Sequence, residues 1–293
     1  MIEIRVLNPD LRMALGEGPV WDEAQDRVLV ADILACTITA LSLHGAVLDV
    51  WHFPSEVGSF GLCRSGRWIV ALRHAVVLYD WRTRRIEPFC TPGPIPPYGR
   101  LNDGKVGPDG AFWVGSMDER AQRGPVGRLF RIAPDGSWRE ICDGLLTSNG
   151  LAWTHDGRTM LHTDSGAPWI DAWDFDPDAG TATNRRRIAT PDADAIGRPD
   201  GAAFDTAGRY WSAGVRKGRI NRFRTDGTLI DSLPFPALGI TMPCFCGPDL
   251  RTVVWSSLRT PLGAEGIGAS PLSGALFVMR SDEPGVPVAR FAD

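Results

Sequence analysis

Four polar side chains, each opening a similar short segment, could together bind a divalent cation. Glu17, Asn102, Asn149 and Asp200 each precede an apolar run that ends in a turn rich in Asp or Gly. Carboxylate and amide oxygens suit Ca²⁺, Mg²⁺, Mn²⁺, Fe²⁺ and Zn²⁺. Two carboxylates held close together resist joint ionisation unless a cation lies between them. The segments therefore predict one metal site if the fold brings them together, although a one-residue shift of alignment would replace Asn102 by Asp103.

The four segments belong to a repeat of about 40 to 50 residues, the length of a four-stranded propeller blade. A fifth copy begins near Pro243 and a weaker one near Ser59. An apolar strand follows each turn, at 28–31, 68–72, 111–115, 159–163, 210–214 and 253–257. In a propeller the first strand of each blade lines the central channel, so the equivalent polar residues are expected to form a ring around the axis.

The repeat predicts an all-β fold, a six-bladed β-propeller with four-stranded blades that occupies residues 1–293 as a single domain. A seventh blade would have no residues left, and a β-sandwich would not explain six units in register. Residues 2–7 form a spare strand ahead of the first unit. We expect this N-terminal strand to complete the last blade and so close the ring.

Composition argues against several other classes of protein. The formal net charge of −4 disfavours nucleic acid or an anionic membrane as the main partner. No stretch approaches the roughly 18 apolar residues that span a bilayer, and residues 1–6 alternate like a strand rather than a signal peptide. The six cysteines are scattered, which favours reduced thiols and a cytoplasmic location.

Other common catalytic machinery is missing from the sequence. There is no Gly-x-Ser-x-Gly motif for a serine nucleophile and no glycine-rich phosphate loop. The five histidines lack the spacing of a zinc site. His74 and His162 follow inner strands, where packing is the expected role. The oxygen-rich ring is therefore the best candidate for chemistry.

Four motifs resemble the signatures of the gluconolactonase family, also known as the senescence-marker-protein or regucalcin family. The resemblance runs from about Leu15 to Phe291, with the motifs in the order and spacing of the family. The motifs are Leu-Gly-Glu-Gly-Pro-Val-Trp at 15–21, Arg-Leu-Asn-Asp-Gly-Lys at 100–105, Ser-Asn-Gly-Leu-Ala-Trp at 148–153 and Arg-Pro-Asp-Gly at 198–201.

The resemblance implies a six-bladed propeller that holds one divalent cation. Glu17, Asn149 and Asp200 match the metal ligands of the family. Arg100 and Asn102 match the residues that contact substrate. The implied activity is hydrolysis of a sugar-acid lactone to the free aldonic acid.

One segment departs from the family pattern. Some members carry a substrate-binding glutamate shortly after a Gly-Thr/Ser-Met strand end, whereas here residues 115–117 are followed by Asp118, Glu119 and Arg120. All three are candidate substrate contacts, and Arg120 in place of the acid would favour an anionic substituent. The alternative is that Arg120 and Arg123 only decorate a mobile lid.

Lactone hydrolysis suits these residue types. A cation with an open position polarises a carbonyl and acidifies water. Asp200 is expected to act as general base or to orient the attacking water, while Arg100 and Asn102 hold substrate oxygens. Asp103 is expected to reach the cation through water, and Asp164 to support the site or contact substrate.

Two other functions remain open from the sequence. An organophosphate or other ester hydrolase could use the same cation, but it would need a more apolar cleft. A calcium-binding regulatory protein without turnover would need neither an open coordination position nor Asp200 as a base. The expected partner is a small sugar lactone, and the expected assembly is a monomer or weak dimer.

Overall fold

A computed structural model describes residues 3–293 and shows six four-stranded antiparallel sheets. Blade 1 contains β2 (Gly16–Asp22), β3 (Arg27–Asp32), β4 (Thr37–Leu41) and β5 (Val47–His52), and blade 2 contains β6 (Val57–Leu62), β7 (Trp68–Leu72), β8 (Val76–Asp80) and β9 (Arg85–Cys90). Blade 3 contains β10 (Gly99–Val106), β11 (Phe112–Asp118), β12 (Gly127–Ile132) and β13 (Trp138–Leu145), and blade 4 contains β14 (Ser148–Trp153), β15 (Thr159–Asp164), β16 (Trp169–Asp176) and β17 (Thr181–Ala189). Blade 5 contains β18 (Arg198–Phe204), β19 (Tyr210–Val215), β20 (Arg219–Phe223) and β21 (Leu229–Pro234), and blade 6 contains β22 (Ile240–Cys246), β23 (Thr252–Ser257), β24 (Phe277–Arg280) and β1 (Arg5–Val6).

The six blades form a closed ring. The first strands of successive blades, β2, β6, β10, β14, β18 and β22, contact one another in turn, and β22 contacts β2 again. These innermost strands surround the axis, as the repeat predicts. The six-bladed propeller expected from the sequence is therefore confirmed.

The N-terminal strand joins the two ends of the chain. Strand β1 pairs antiparallel with β24, so that Arg5 lies opposite Val278 and Val6 opposite Phe277. This pairing makes β1 the outermost strand of blade 6. The predicted closing strand at 2–7 is thus confirmed over Arg5–Val6, while residue 2 lies outside the described residues.

Burial decreases from the axis of each blade to its rim. Every residue of β7 is buried because neighbouring blades cover both faces of this strand, whereas most of β9 is exposed. Large aromatic side chains fill the space between blades, and Trp51, Trp68 and Tyr79 lie in one cluster between blades 1 and 2. Apolar burial of this extent is the main force that stabilises the stacking of blades.

Few residues lie in helices. The two α-helices are α1 (Ala193–Ile196) and α2 (Gly263–Ala269), and 3-10 turns occur at Glu23–Gln25 and Thr260–Leu262. Within residues 3–293 no helix has the length and apolar character to cross a bilayer. All six cysteines are free thiols.

Candidate metal centre and active-site cavity

The inner strands lose their regular pairing at the positions of the polar residues. Register shifts lie between Glu17 and Val20, Leu101 and Gly104, Asn149 and Ala152, and Pro199 and Ala202. Such β-bulges redirect side chains and are common beside functional sites. Gly18 and Gly150 have φ of 53° and 66° at two of these bulges, a conformation that favours glycine. The glycines that follow Glu17 and Asn149 therefore allow the backbone to bend at these two bulges.

A cavity of about 710 Å³ opens at this end of the axis. Its size falls within the range of roughly 300–1,000 Å³ that is usual for small-molecule sites. Glu17, Arg100, Asn102, Asn149 and Asp200 all line it. Residues from blades 1, 3, 4 and 5 thus converge in one cavity, as the sequence pattern requires.

A chain of hydrogen bonds orders the floor of the cavity. Arg100 Nη1 donates to Asn102 Oδ1 at 2.6 Å, and Asn102 Nδ2 donates to Asn149 Oδ1 at 3.1 Å. Asn149 Nδ2 in turn donates to Ser165 Oγ at 2.7 Å. Because an amide oxygen has two lone pairs, Asn149 Oδ1 can accept from Asn102 and still bind a cation.

Glu17 is half-buried and Asp200 is buried, and within the described residues neither carboxylate has a cationic side chain in contact. Burial first, and then the Asp200 carboxylate, raises the pKa of Glu17 well above its usual range. Burial and then the Asp103 carboxylate likewise raise the pKa of Asp200. Across residues 3–293 neither carboxylate forms a salt bridge with a cationic side chain. A divalent cation between them would remove this electrostatic cost.

The donor set fits a cation that prefers oxygen. Two carboxylates and one amide oxygen are available from Glu17, Asp200 and Asn149, and the cavity leaves room for water or a ligand beside them. In the described part of the chain no three or more His, Cys, Asp or Glu side chains cluster in a way that could hold a metal ion. The site therefore depends on its amide donor and suits Ca²⁺, Mg²⁺ or Mn²⁺ better than a thiol- or imidazole-seeking metal.

Asp103 lies behind the cavity wall rather than on it. Its Oδ2 accepts a hydrogen bond from the Leu151 backbone N–H at 3.2 Å. Burial raises the pKa of Asp103, and the charge of Lys105 opposes part of that rise. Lys105 is half-buried, and its Nζ donates to the Ala202 carbonyl at 2.7 Å. Sequence reasoning missed Lys105, although its two-residue spacing from Asp103 was available as a signal.

Glu119 lines the cavity but its oxygens hold two arginines. Arg100 Nε donates to Glu119 Oε1 at 3.0 Å, and Arg73 Nη2 donates to Glu119 Oε2. Arg73 also pairs with Glu56 at 2.8 Å. This network fixes the Arg100 guanidinium at the cavity wall, so Glu119 positions Arg100 whether or not it also touches substrate.

Asp118 and Arg120, two of the predicted substrate contacts, form an ion pair with each other. Asp118 is fully buried and does not line the cavity; its Oδ2 accepts from Arg120 Nη2 and from the Gly124 backbone N–H, each at 2.7 Å. These bonds, with Arg120 the strongest, hold the pKa of Asp118 well below its usual range. Arg120 reaches the cavity edge, but its charge is compensated by Asp118 and its guanidinium stacks 3.8 Å from the Tyr98 ring centroid.

Asp164 supports the cavity wall instead of contacting substrate. Its carboxylate accepts hydrogen bonds from the backbone N–H groups of Leu146, Thr147 and Gly166 at 2.8, 2.9 and 2.7 Å. Those three residues line the cavity, whereas Asp164 does not. The carboxylate is therefore used to hold two loops together.

His162 is a packed residue, as expected. It is fully buried, and its Nε2 lies 2.8 Å from Ser148 Oγ. Burial lowers the pKa of His162 to about 3. The ring is consequently neutral at physiological pH and stabilises the strand pair behind Asn149.

Three further arginines line the cavity, and the sequence did not predict a substrate-binding role for any of them. They are Arg123, Arg198 and Arg216, from the loop of blade 3, the first strand of blade 5 and the turn after β19. The fold brings these three arginines together, and no local spacing in the sequence indicates that they are neighbours.

The fold and the site together define a six-bladed β-propeller with a polar small-molecule cavity at one end of its axis. The family described as the SMP-30/Gluconolactonase/LRE-like region matches residues 15–259, and the chain belongs to this family. The resemblance found in the four sequence motifs is therefore confirmed.

Individual relatives agree over nearly the whole chain. The 6-deoxy-6-sulfogluconolactonase of Pseudomonas putida is 35% identical over 280 residues, which is 95% of each chain. The regucalcin of Danio rerio is 31% identical over 265 residues, covering 90% of this chain and 89% of that one. The crystal structure of a regucalcin from Agrobacterium tumefaciens, described as a calcium-binding protein, superposes with a TM-score of 0.91 at 26% identity, covering 99% and 97% of the two chains.

Proposed function

We propose that this protein hydrolyses the ring ester of a sugar-acid lactone to the free aldonic acid, using one divalent cation held by Glu17, Asn149 and Asp200. The observation that carries the proposal is the shared cavity. Two carboxylates and an amide oxygen lie there with Arg100 and Asn102, which are suited to bind sugar oxygens.

The bound cation would polarise the lactone carbonyl and make water more acidic. Asp200 would orient the attacking water and accept its proton. The water oxygen forms a bond to the carbonyl carbon, the bond from that carbon to the ring oxygen breaks, and the ring oxygen leaves with a proton as a hydroxyl group. An activated ring ester suits a carboxylate base, which would be too weak for an unstrained amide.

Arg100 would orient the substrate. Its Nε donates to Glu119 and its Nη1 to Leu101 and Asn102, whereas Nη2 donates to no acceptor within the described residues. The guanidinium is thus rigidly held with donors still available toward the cavity. Fixed donors of this kind can contribute several kcal/mol by orientation.

The relatives support the chemistry and suggest the cation. The Pseudomonas putida protein is named for a lactone, so its sulfonated substrate belongs in any panel tested here. The Agrobacterium structure is described as calcium-binding. Since the proposed donors are all oxygens, Ca²⁺ is the first of the candidate ions Ca²⁺, Zn²⁺, Mg²⁺, Mn²⁺ and Fe²⁺ to test.

The polar lining disfavours the organophosphate alternative. A phosphotriester would need an apolar cleft, but charged and amide side chains from at least four blades line this cavity. A calcium-binding regulator without turnover predicts cation binding but no lactonase activity. An assay of lactone hydrolysis therefore distinguishes the lactonase from the calcium-binding regulator.

The test is a pH-indicator assay with gluconic, xylonic, arabinonic, galactonic and 6-deoxy-6-sulfogluconic lactones, corrected for their spontaneous opening. We expect hydrolysis of at least one lactone above background, loss of that rate after chelation, and recovery when a divalent cation is added. Cation binding without acceleration of any lactone would overturn the proposed activity and support the regulatory alternative.

A further inference from the structure

Three arginines at the cavity wall have no carboxylate in contact with them within the described residues. Arg123 Nη1 donates to Thr147 Oγ1 at 2.6 Å, and Arg216 Nη2 donates to the Pro261 carbonyl at 3.3 Å. Arg198 Nη1 donates to the carbonyls of Ser165 and Gly166 at 2.8 and 2.9 Å. All these acceptors are neutral, and across residues 3–293 none of the three arginines is in a salt bridge.

The neutral acceptors hold the guanidinium groups in place and leave most of their donors free. A guanidinium has five N–H donors, and each of these three uses only one or two toward protein oxygens. The other two cavity arginines differ, because Arg100 pairs with Glu119 and Arg120 with Asp118. The cavity arginines that lack a contacting carboxylate are therefore Arg123, Arg198 and Arg216.

The three cations also lie close enough to repel one another. The charges of Arg198 and Arg216 both lower the pKa of Arg123, in addition to the larger effect of burial. Like charges gathered in one cavity cost free energy unless an anion joins them. The contributing segments come from blade 3 and blade 5, with the Pro261 carbonyl from blade 6, so the cluster is assembled by tertiary structure and is not a basic run.

We propose that Arg123, Arg198 and Arg216 form an oxyanion subsite, and that the preferred substrate is a sugar-acid lactone bearing a sulfonate, phosphate or carboxylate group away from its ring ester. This inference rests on the proposed lactonase function. Arginine forks match the oxygens of all three groups, and such charge-assisted hydrogen bonds are stronger than neutral ones. The role that sequence reasoning gave to Arg120 thus belongs to other arginines of the same cavity.

The test compares D-glucono-1,5-lactone with counterparts that carry a sulfonate, a phosphate or a carboxylate at C6. We expect kcat/KM for at least one anionic lactone to exceed that of the neutral parent by about tenfold to a hundredfold, as one or two charge-assisted hydrogen bonds predict. The anion that gains most identifies the substituent.

Variants then assign the preference to residues. Arg216→Asn suits the φ of 71° at this position, and Arg198→Ala removes a second guanidinium. Each should lower kcat/KM for the anionic lactone, mainly through KM, by a factor about tenfold larger than any change for the neutral lactone. Arg224→Ala is the matched control, because Arg224 is an exposed arginine outside the cavity and its loss changes the net charge equally.

Equal rates for neutral and anionic lactones in the wild type would overturn the subsite. So would variants that slow both lactones alike, or a control that matches their effect. Calorimetric titration with gluconate and its C6-sulfonated, phosphorylated and carboxylated counterparts measures the preference without turnover. If no lactone is hydrolysed, the proposed activity fails, and tighter binding of the anionic acids still decides the subsite.

Discussion

Asn102 Nδ2 donates to Asn149 Oδ1 across 3.1 Å and so joins the inner strands of blades 3 and 4 at the floor of the cavity. The same Asn102 nitrogen also lies 2.9 Å from the Ser148 carbonyl, which fixes the orientation of its amide. A residue in the proposed substrate site is therefore in direct contact with a proposed metal ligand.

Substitution Asn102→Ala should weaken cation binding although Asn102 is not itself a proposed ligand. Without this donor the Asn149 amide can rotate, and partners that orient a ligand typically contribute about tenfold to a hundredfold in metal affinity. Calorimetric titration of the metal-free variant with Ca²⁺ measures the change. An affinity equal to that of the wild type would show that the contact does not orient Asn149.

Glu17→Gln should separate cation binding from folding. In the metal-free protein the substitution removes one of two carboxylates that repel each other. We expect Tm of the metal-free protein to rise by about 2 °C, corresponding to roughly 1 kcal/mol in a chain of this size. The increase of Tm with Ca²⁺ that we expect for the wild type should disappear in the variant. A variant that keeps the full Ca²⁺-dependent increase would remove Glu17 from the ligand set.

His162 should make stability depend on pH. Its pKa is lowered from 6.5 to about 3 on burial, so the unfolded chain binds more protons between these values. The free energy of unfolding should therefore fall as pH decreases from about 6.5 toward 3, by up to about 1.4 kcal/mol per pH unit from this group. His162→Gln should flatten that part of the curve.

The measurement is urea denaturation of both proteins between about pH 4 and 7.5. This range extends from above the ordinary pKa of histidine, about 6.5, to well below it. The wild type and the variant should differ most in slope below about pH 6. Parallel curves would mean that His162 is not buried in its neutral form.

The repeat pattern was enough to predict the fold because each blade has to bury the same kinds of strand. Trp68–Leu72 and Tyr210–Val215 are apolar runs fixed by burial on both faces. The sequence also predicted that the N-terminal strand closes the ring, because the outer edge of the last blade would otherwise have no partner strand. The sequence alone did not decide whether Asn102 or Asp103 faces the channel, because the inner strand has a bulge between Leu101 and Gly104.

Loop contacts could not be predicted from sequence spacing. Asp118 and Arg120 are two residues apart, and the sequence did not show that they bind each other instead of a substrate. Arg123 and Arg198 are separated by two strands of blade 3 and the whole of blade 4, yet they line one cavity because the ring brings blades 3 and 5 around the same axis. Contacts of this kind depend on the tertiary structure and leave no local pattern in the sequence.

The central claim is tested most directly by the lactonase rate of Asp200→Asn measured with and without saturating divalent cation. Asp226→Asn is the matched control, because Asp226 is an exposed turn residue that accepts from the Thr228 backbone N–H. We expect the wild type and control to lose activity on chelation and recover it with the cation. Asp200→Asn should stay at least about a hundredfold slower in either condition with its fold unchanged by circular dichroism. A near-normal rate in Asp200→Asn, or a wild-type rate indifferent to chelation, would contradict the account.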